Sequence, residues 1–363
     1  MHKTSASPLA LVYVALIVYA SLYPFADWRD QGLAPWAFVF APLPRYWTGF
    51  DVAVNVAGYL PLGALFALGM RRARRSHAVL VPLLLGCALS FTMEALQSYL
   101  PMRVASREDL LFNTVGTGLG ALMTLLLDRF GVIRRWNRLR ERWFVEQSRG
   151  GIVLLAIWPM ALMFPASVPF GLGHVLVRMQ DALALQLSDT PLMAWLPVRD
   201  AHMQPLVPGA ELVCVALGLM IPCLLGYCVI RSVRRRFLLV LMTVALGVVV
   251  TALSSALSWG PNHAWAWLSL PALSGIGIAW VSALLLLRLP WRASAALLLL
   301  GLGIDLSLLN QAPESPYFAQ TLSVWEQGRF IRFHGLAQWL GWLWPYFTLL
   351  YILPLIGRSD AKN

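Results

Sequence analysis

Two stretches of this chain share the pattern Asp-x3-Asn-x2-Gly: Asp51-Val-Ala-Val-Asn55-Val-Ala-Gly58 and Asp109-Leu-Leu-Phe-Asn113-Thr-Val-Gly116. Asp and Asn four residues apart lie on one face of a helix, and Gly three further on continues it. A carboxylate with a carboxamide one turn behind it offers acceptors and donors to a sugar, a phosphate or a similar polar group. Each copy opens a run of about twenty apolar residues, where ionisable and amide side chains are costly unless they find partners. The same costly arrangement, met twice, predicts two related halves joined at one polar site.

Between the copies, Glu94 and Gln97 are three apart and so share a face near the end of another apolar run. Helix rise places Glu94 roughly 10 Å below the loop 101–108, near the level of Gly58 and Gly116. Arg103 stands in that loop, its guanidinium suited to Asp109, Glu94 or an incoming phosphate or carboxylate. Asp51, Asn55, Glu94, Gln97, Arg103, Asp109 and Asn113 are therefore the candidate ligand-binding residues, with Glu94 the candidate acid or base. Gly58, Pro61, Gly63, Gly116 and Gly120 are expected to serve helix packing, since small residues let backbones approach closely. Simpler roles stand beside these: Asp51 and Asp109 as helix N-caps, the amides as interhelical hydrogen bonds.

The elements that must position these residues are membrane helices. Apolar residues make up 59% of the 363, charged residues only 12%, and mean hydropathy is +0.67. A soluble domain carries about twice that charged share. Ten spans are expected, at 8–26, 52–70, 78–100, 109–128, 150–170, 209–230, 237–257, 267–287, 293–309 and 336–356. The alternating ~10-residue strands of an outer-membrane barrel are absent. The fold class is all-α and polytopic. With the N-terminus inside, twenty Lys and Arg fall in inside segments and eight in outside ones. The positive-inside rule then puts both termini in the cytoplasm. Both copies of the repeat run from outside to inside, so both Asp sit at the outer surface, with each Asn one turn deeper. Two parallel copies imply a pseudo-twofold axis along the membrane normal.

Three regions follow: a four-helix module over 1–130 with an internal two-helix repeat, a basic amphipathic linker over 131–149, and a six-helix region over 150–363. The last has two long outside segments, 171–208 and 310–335, both expected to be partly helical. The net charge of +11 reflects topology and contact with anionic lipid rather than nucleic acid. The run Arg134 to Arg142, with Trp136 and Trp143, is expected to lie on the inner leaflet. The first span is read as a retained helix rather than a signal peptide. Cys87, Cys214, Cys223 and Cys228 all fall inside spans and are expected to be inert thiols. None of the six His falls in the repeat region, and neither metal spacing nor a nucleophile motif is present. No cofactor and no metal are expected.

Asp51-x3-Asn55-x2-Gly58-x2-Pro61-x-Gly63, followed by Glu94-x2-Gln97-x5-Arg103-x5-Asp109-x3-Asn113-x2-Gly116-x3-Gly120, resembles the VanZ-like family over about residues 1–130. The family is named for an accessory protein of glycopeptide-resistance clusters, associated with reduced susceptibility to teicoplanin. The six further spans depart from that pattern. The resemblance implies a cell-envelope protein that binds an amphiphilic or lipid-linked ligand at the outer leaflet: a cell-wall or polysaccharide precursor, or a glycopeptide. A membrane enzyme acting on a lipid-linked headgroup, with Glu94 as acid or base, is the alternative, and a transporter the third.

Overall fold

In lipid, an apolar segment satisfies its own backbone only as a helix, and this chain follows that rule. The structure, a computed structural model, describes residues 6–23, 25, 27–41, 49–70, 77–145, 148–164, 166–188, 190–195, 206–312 and 331–357. Among these residues there are twelve α-helices, some short 3-10 turns and one isolated bridge, Phe144 to Ile230, but no strand. The helices are α1 Ala6–Leu22, α2 Gly49–Gly69, α3 His77–Gln97, α4 Arg107–Arg129, α5 Val132–Trp143, α6 Arg149–Ala161, α7 Leu176–Leu187, α8 Pro208–Val229, α9 Val233–Trp259, α10 Leu270–Leu285, α11 Trp291–Leu309 and α12 Ile331–Gly357.

Eight of these helices are long and apolar enough to cross a membrane: α2, α3, α4 and α8 to α12. Their outward faces remain apolar. On α9, Leu238, Met242, Leu246, Val249, Leu253 and Leu257 form one exposed stripe, the surface that lipid rather than water would cover. The protein is an all-helical, multi-pass membrane protein.

The two remaining expected spans hold shorter helices. Apolar α1 ends at Leu22, where the chain turns out through Phe25 and Asp27 at positive φ, instead of running on to residue 26. In place of a span over 150–170, α6 ends at Ala161. The chain then passes non-helically through Val168, Phe170 and Leu172, all buried. At ~1.5 Å per residue the 13 residues of α6 cover about 20 Å. Pro159 lies just before the break, and Phe170 takes φ 63°, a conformation no helix continues through.

The chain divides into two compact units, Met1–Leu139 and Arg140–Asn363, with the division inside α5. In the first, α2 and α4 form the most extensive helix pair, α3 packs on α4, and α1 packs on α2 and α3. Ile17, Leu22, Tyr59, Leu62, Met93 and Leu100 make its buried core. In the second, α8 is the buried centre, packed by α6, α9, α10 and α11, while α12 packs on α6 and α11.

A single arginine organises one end of that second bundle. Arg236 donates from Nε to Ile230 O (3.1 Å), from Nη1 to Leu287 O (3.0 Å) and Leu289 O (2.7 Å), and from Nη2 to Tyr227 O (2.7 Å). These carbonyls belong to the α8–α9 turn and to the turn after α10. Helix ends leave their last carbonyls without intrahelical donors, and one planar guanidinium supplies donors to both turns.

The expected basic helix is α5. Its Val132, Trp136 and Leu139 are exposed at helical spacing, among Arg134, Arg135, Arg138, Arg140 and Arg142. Of the two segments expected outside, the first contains α7. In the second, residues 313–330, with the aromatic set from Tyr317 to Phe330, lie outside the described residues, and α12 begins at Ile331 rather than 336. The four cysteines are unpaired thiols; three are buried and Cys87 is half-buried.

Candidate functional site

The polar residues singled out by the repeat gather at one end of the first unit, and they do so because α2 and α4 run side by side in the same direction. Val56 meets Gly116, Leu60 meets Gly120, Gly63 meets Thr117, and Asn55 meets Asp109. The sequence separations in these pairs are 60 or 54 residues, either side of the repeat offset of 58. Contacts that straddle the offset in both senses are those expected of two parallel copies about a twofold axis along the helices.

Glycine makes this approach close. A Cβ on Gly116 would run into Val56 O, one on Gly120 into Leu60 O, and one on Gly63 into Thr117 O. On the other side of α4, Gly86 of α3 faces the Thr117 side chain in the same way. Gly58 departs from the packing role expected of it: nothing lies within 4 Å of the position its Cβ would take. Its contribution is its carbonyl, which accepts from Tyr13 Oη at 2.9 Å and so ties α2 to α1. Pro61 lies inside α2, half-buried, without ending the helix.

At the end of this seam, Asn55 Nδ2 donates to Asp109 Oδ1 at 2.5 Å. The amide of the first copy thus meets the carboxylate of the second. The symmetric mate of this bond would join Asn113 to Asp51. Asn113 Nδ2 donates to Ser90 Oγ on α3 at 3.0 Å. The Asp51 backbone lies in the first turn of α2, and its side chain falls outside the described ones.

Asp109 is not the N-cap. That position belongs to Ser106, whose Oγ accepts from Asp109 N at 3.2 Å, which places Asp109 in the third helical position. Ser-x-x-Asp resembles a capping box, in which the third helical residue would turn back to the cap's own N–H. Here that N–H goes elsewhere: Ser106 N donates to Glu94 Oε2 at 2.8 Å. Asp109 is thereby left to face Asn55.

The same bond corrects the depth of Glu94. It lies at the level of the α4 cap, about 15 Å in helix rise from Gly116, not beside it. α3 ends at Gln97 rather than 100, so Glu94 is one turn from the helix end. Its side chain is 3% exposed, and its Oε2 caps the connection between α3 and α4. Gln97, also buried, donates from Nε2 to Ser21 O of α1 at 3.0 Å. Arg103 donates to Tyr23 O at 2.8 Å, fixing the loop beyond α3 to the end of α1.

The cluster also contains residues that the repeat did not flag. Tyr59, one turn below Asn55, is 6% exposed and its hydroxyl has no hydrogen bond. Ser90 lies beside that hydroxyl. Asn113 is 5% exposed, and its Oδ1 has no partner. Ser90 was legible in principle, since Ser90, Glu94 and Gln97 fall at i, i+4 and i+7 on one face of α3. The Ser106-x-x-Asp109 signature was legible too. Tyr59 carried no signal beyond its place one turn after Asn55.

In the second unit, Asp305 is buried beside Cys214, and its Oδ1 has no hydrogen-bond partner. Among the described residues no group of His, Cys, Asp or Glu is placed to hold a metal ion.

No curated protein and no solved structure matches this chain. A family model described as VanZ/LLP1 matches residues 4–128, a stretch that contains α1 to α4, both copies of the repeat, and Glu94, Gln97 and Arg103 between them. The N-terminal unit of this protein is a VanZ-like membrane module.

Proposed function

We propose that the VanZ-like unit is a non-enzymatic binding module of the bacterial inner membrane, holding the polar headgroup of an amphiphilic or lipid-linked ligand at the outer leaflet. The observation that carries this reading is the bond from Asn55 to Asp109. It brings one polar group from each copy of the repeat to the same end of an otherwise apolar seam, where Glu94, Gln97, Arg103 and Asn113 are near neighbours in the fold. Both termini lie inside on the distribution of basic residues, which turns this end of α2 and α4 outward. Lipid-linked cell-wall or polysaccharide precursors fit this chemistry, and so do glycopeptides with acyl tails. Through the family resemblance the reading extends to tolerance of teicoplanin.

Glu94 supports a binder rather than an acid–base enzyme: its Oε2 already caps Ser106 N. The test is native mass spectrometry of the full chain from lipid nanodiscs, comparing wild type with Asn55→Leu. Wild type is expected to retain a headgroup-bearing lipid that the variant loses. Equal retention by both overturns the reading.

A further inference from the structure

Between α1 and α2 the sequence Leu33-Ala-Pro-Trp-Ala-Phe-Val-Phe-Ala-Pro-Leu-Pro44 is apolar throughout, although Asp27, Arg29, Asp30 and Gln31 precede it and Arg45 follows. Twelve such residues are too few to cross a ~30 Å core, and three prolines keep them from forming one helix. The described part of this stretch, 33–41, does not stay above the helices. The loop before it is held at their end: Arg29 N donates to Tyr99 O at 3.0 Å and Gln31 Nε2 to Ser98 O at 2.7 Å, just past the last turn of α3. Phe38, by contrast, is buried with its ring 5.6 Å from that of Phe91. Phe91 stands seven positions before Ser98, about 10 Å lower by helix rise. Helical side chains lean toward the N-terminus, which for α3 is deeper still. The 3-10 turn Ala37–Phe40 also packs on α4.

A backbone taken below the membrane surface must satisfy its own polar groups. This one does so locally: Ala37 N donates to Ala34 O (2.8 Å), Val39 N to Trp36 O (3.1 Å) and Ala41 N to Phe38 O (3.2 Å), while Pro35 has no N–H to satisfy. As Phe38 turns inward, Trp36 and Phe40 remain exposed, Phe40 at 81%. Leu80 and Leu84, on the same face of α3 as Phe91, are exposed as well, so the acyl chains that cover this face of the helix extend to the two rings beside it. We propose that residues 33–41 are a re-entrant segment, dipping into the leaflet that meets this end of α3 and α4. Phe38 is keyed to the helices, and Trp36 and Phe40 lie among the acyl chains. The partner is the lipid itself, and the segment fixes the depth of the end of the unit that carries Asn55 and Asp109. Such insertion needs no ligand at the polar end and does not rest on the binding reading above.

Single nitroxide labels on the full chain in phosphatidylcholine nanodiscs test the depth. The background carries Cys87→Ser, because Cys87 is half-buried and the other three cysteines are buried. Labels are placed on Trp36→Cys and Phe40→Cys, on Asp30→Cys as the reference in water and on Leu84→Cys as the reference in lipid, all at exposed positions. Power saturation in electron paramagnetic resonance then compares collisions with molecular oxygen, which concentrates among acyl chains, and with a water-soluble nickel chelate. The oxygen-to-nickel ratio at Trp36 and Phe40 is expected to exceed that at Asp30 several-fold and to approach that at Leu84. A ratio at both positions equal to that at Asp30 puts the segment in water and overturns the inference. Loss of access to both reagents means that protein, such as a second copy of the chain, covers the segment, and overturns it equally. Each substitution replaces an exposed ring and leaves the buried Phe38 contact in place, so a variant that fails to fold at one position leaves the other to decide.

Discussion

Asn55 and Asp109 are 54 residues apart in sequence, yet the carboxamide of the first donates to the carboxylate of the second at 2.5 Å. A hydrogen bond to an ionised acceptor in a half-buried setting contributes about 1.5–3 kcal/mol. Asn55→Leu is therefore expected to lower stability by roughly 2 kcal/mol, and Asn55→Asp by more, because it sets two carboxylates against each other. Thermal unfolding in detergent measures both. In a double-mutant cycle with Asp109→Asn, a coupling near zero would show that the two side chains act independently.

The glycines of the seam are expected to separate into two groups. Gly116→Ala and Gly120→Ala place a methyl against Val56 O and Leu60 O, and backbone carbonyls on helices cannot turn aside. Each is expected to cost about 2 kcal/mol or more. Gly58→Ala meets nothing within 4 Å and replaces a poor helix former with a good one, so it is expected to be neutral or stabilising by up to ~1 kcal/mol. Melting midpoints by fluorescence-detected size exclusion rank the three. A Gly58→Ala variant as damaged as Gly116→Ala would refute the assigned seam.

For Glu94 the decisive comparison is between two substitutions. Glu94→Gln keeps an acceptor for Ser106 N, while Glu94→Leu leaves that N–H without one, a loss of about 1–3 kcal/mol. Stability and lipid retention are expected to survive largely in the first and to fall in the second. Complete loss of retention in a stably folded Glu94→Gln would show that the headgroup needs the charge of this carboxylate and not only its hydrogen-bonding shape.

Arg236 gives a prediction confined to the second unit. Arg236→Met leaves the carbonyls of Tyr227, Ile230, Leu287 and Leu289 without this donor, and the expected loss is about 3 kcal/mol or more. Lysine restores the charge but not the planar fork, so Arg236→Lys is expected to recover only part of that loss. A full recovery, judged by the melting midpoint, would mean that charge rather than geometry matters at this position.

How much of this was legible in the sequence depends on the range over which each feature is encoded. Among the described residues, hydropathy marked the eight helices long enough to cross a membrane and the shorter α1 and α6, because lipid imposes the same condition on every residue of a span. The end of α6 was overlooked because residues 162–172 stay largely apolar, although Pro165 and Pro169 mark a helix break. Leu162, Phe164, Val168, Phe170 and Leu172 are buried within the second unit through tertiary packing rather than helix formation. The repeat announced Asn55, Asp109 and Asn113 as a polar set, but not which would pair with which. Asn55 bonds across the copies, and Asn113 bonds to Ser90 on α3. The depth of Glu94 was misjudged by several residues because α3 stops at Gln97, and a helix end of that kind is fixed by the turn that follows it. The capping role of Ser106 was written in Ser-x-x-Asp, yet its use by Glu94 depends on a contact between two helices.

The parallel pairing of α2 with α4 has a consequence for how the chain is made. Neighbouring membrane helices joined by a short loop are antiparallel, so α2 cannot meet its parallel partner until α3 has crossed the bilayer and α4 has followed. While synthesis proceeds, Asn55 waits in the membrane without Asp109, and the bare backbone beside Gly63 has nothing to rest against. A chain stopped between the two copies is therefore marked by an amide without its Asp109 and a glycine without Thr117 against it. Completion of the second copy both builds the polar end and removes the mark of an unfinished chain.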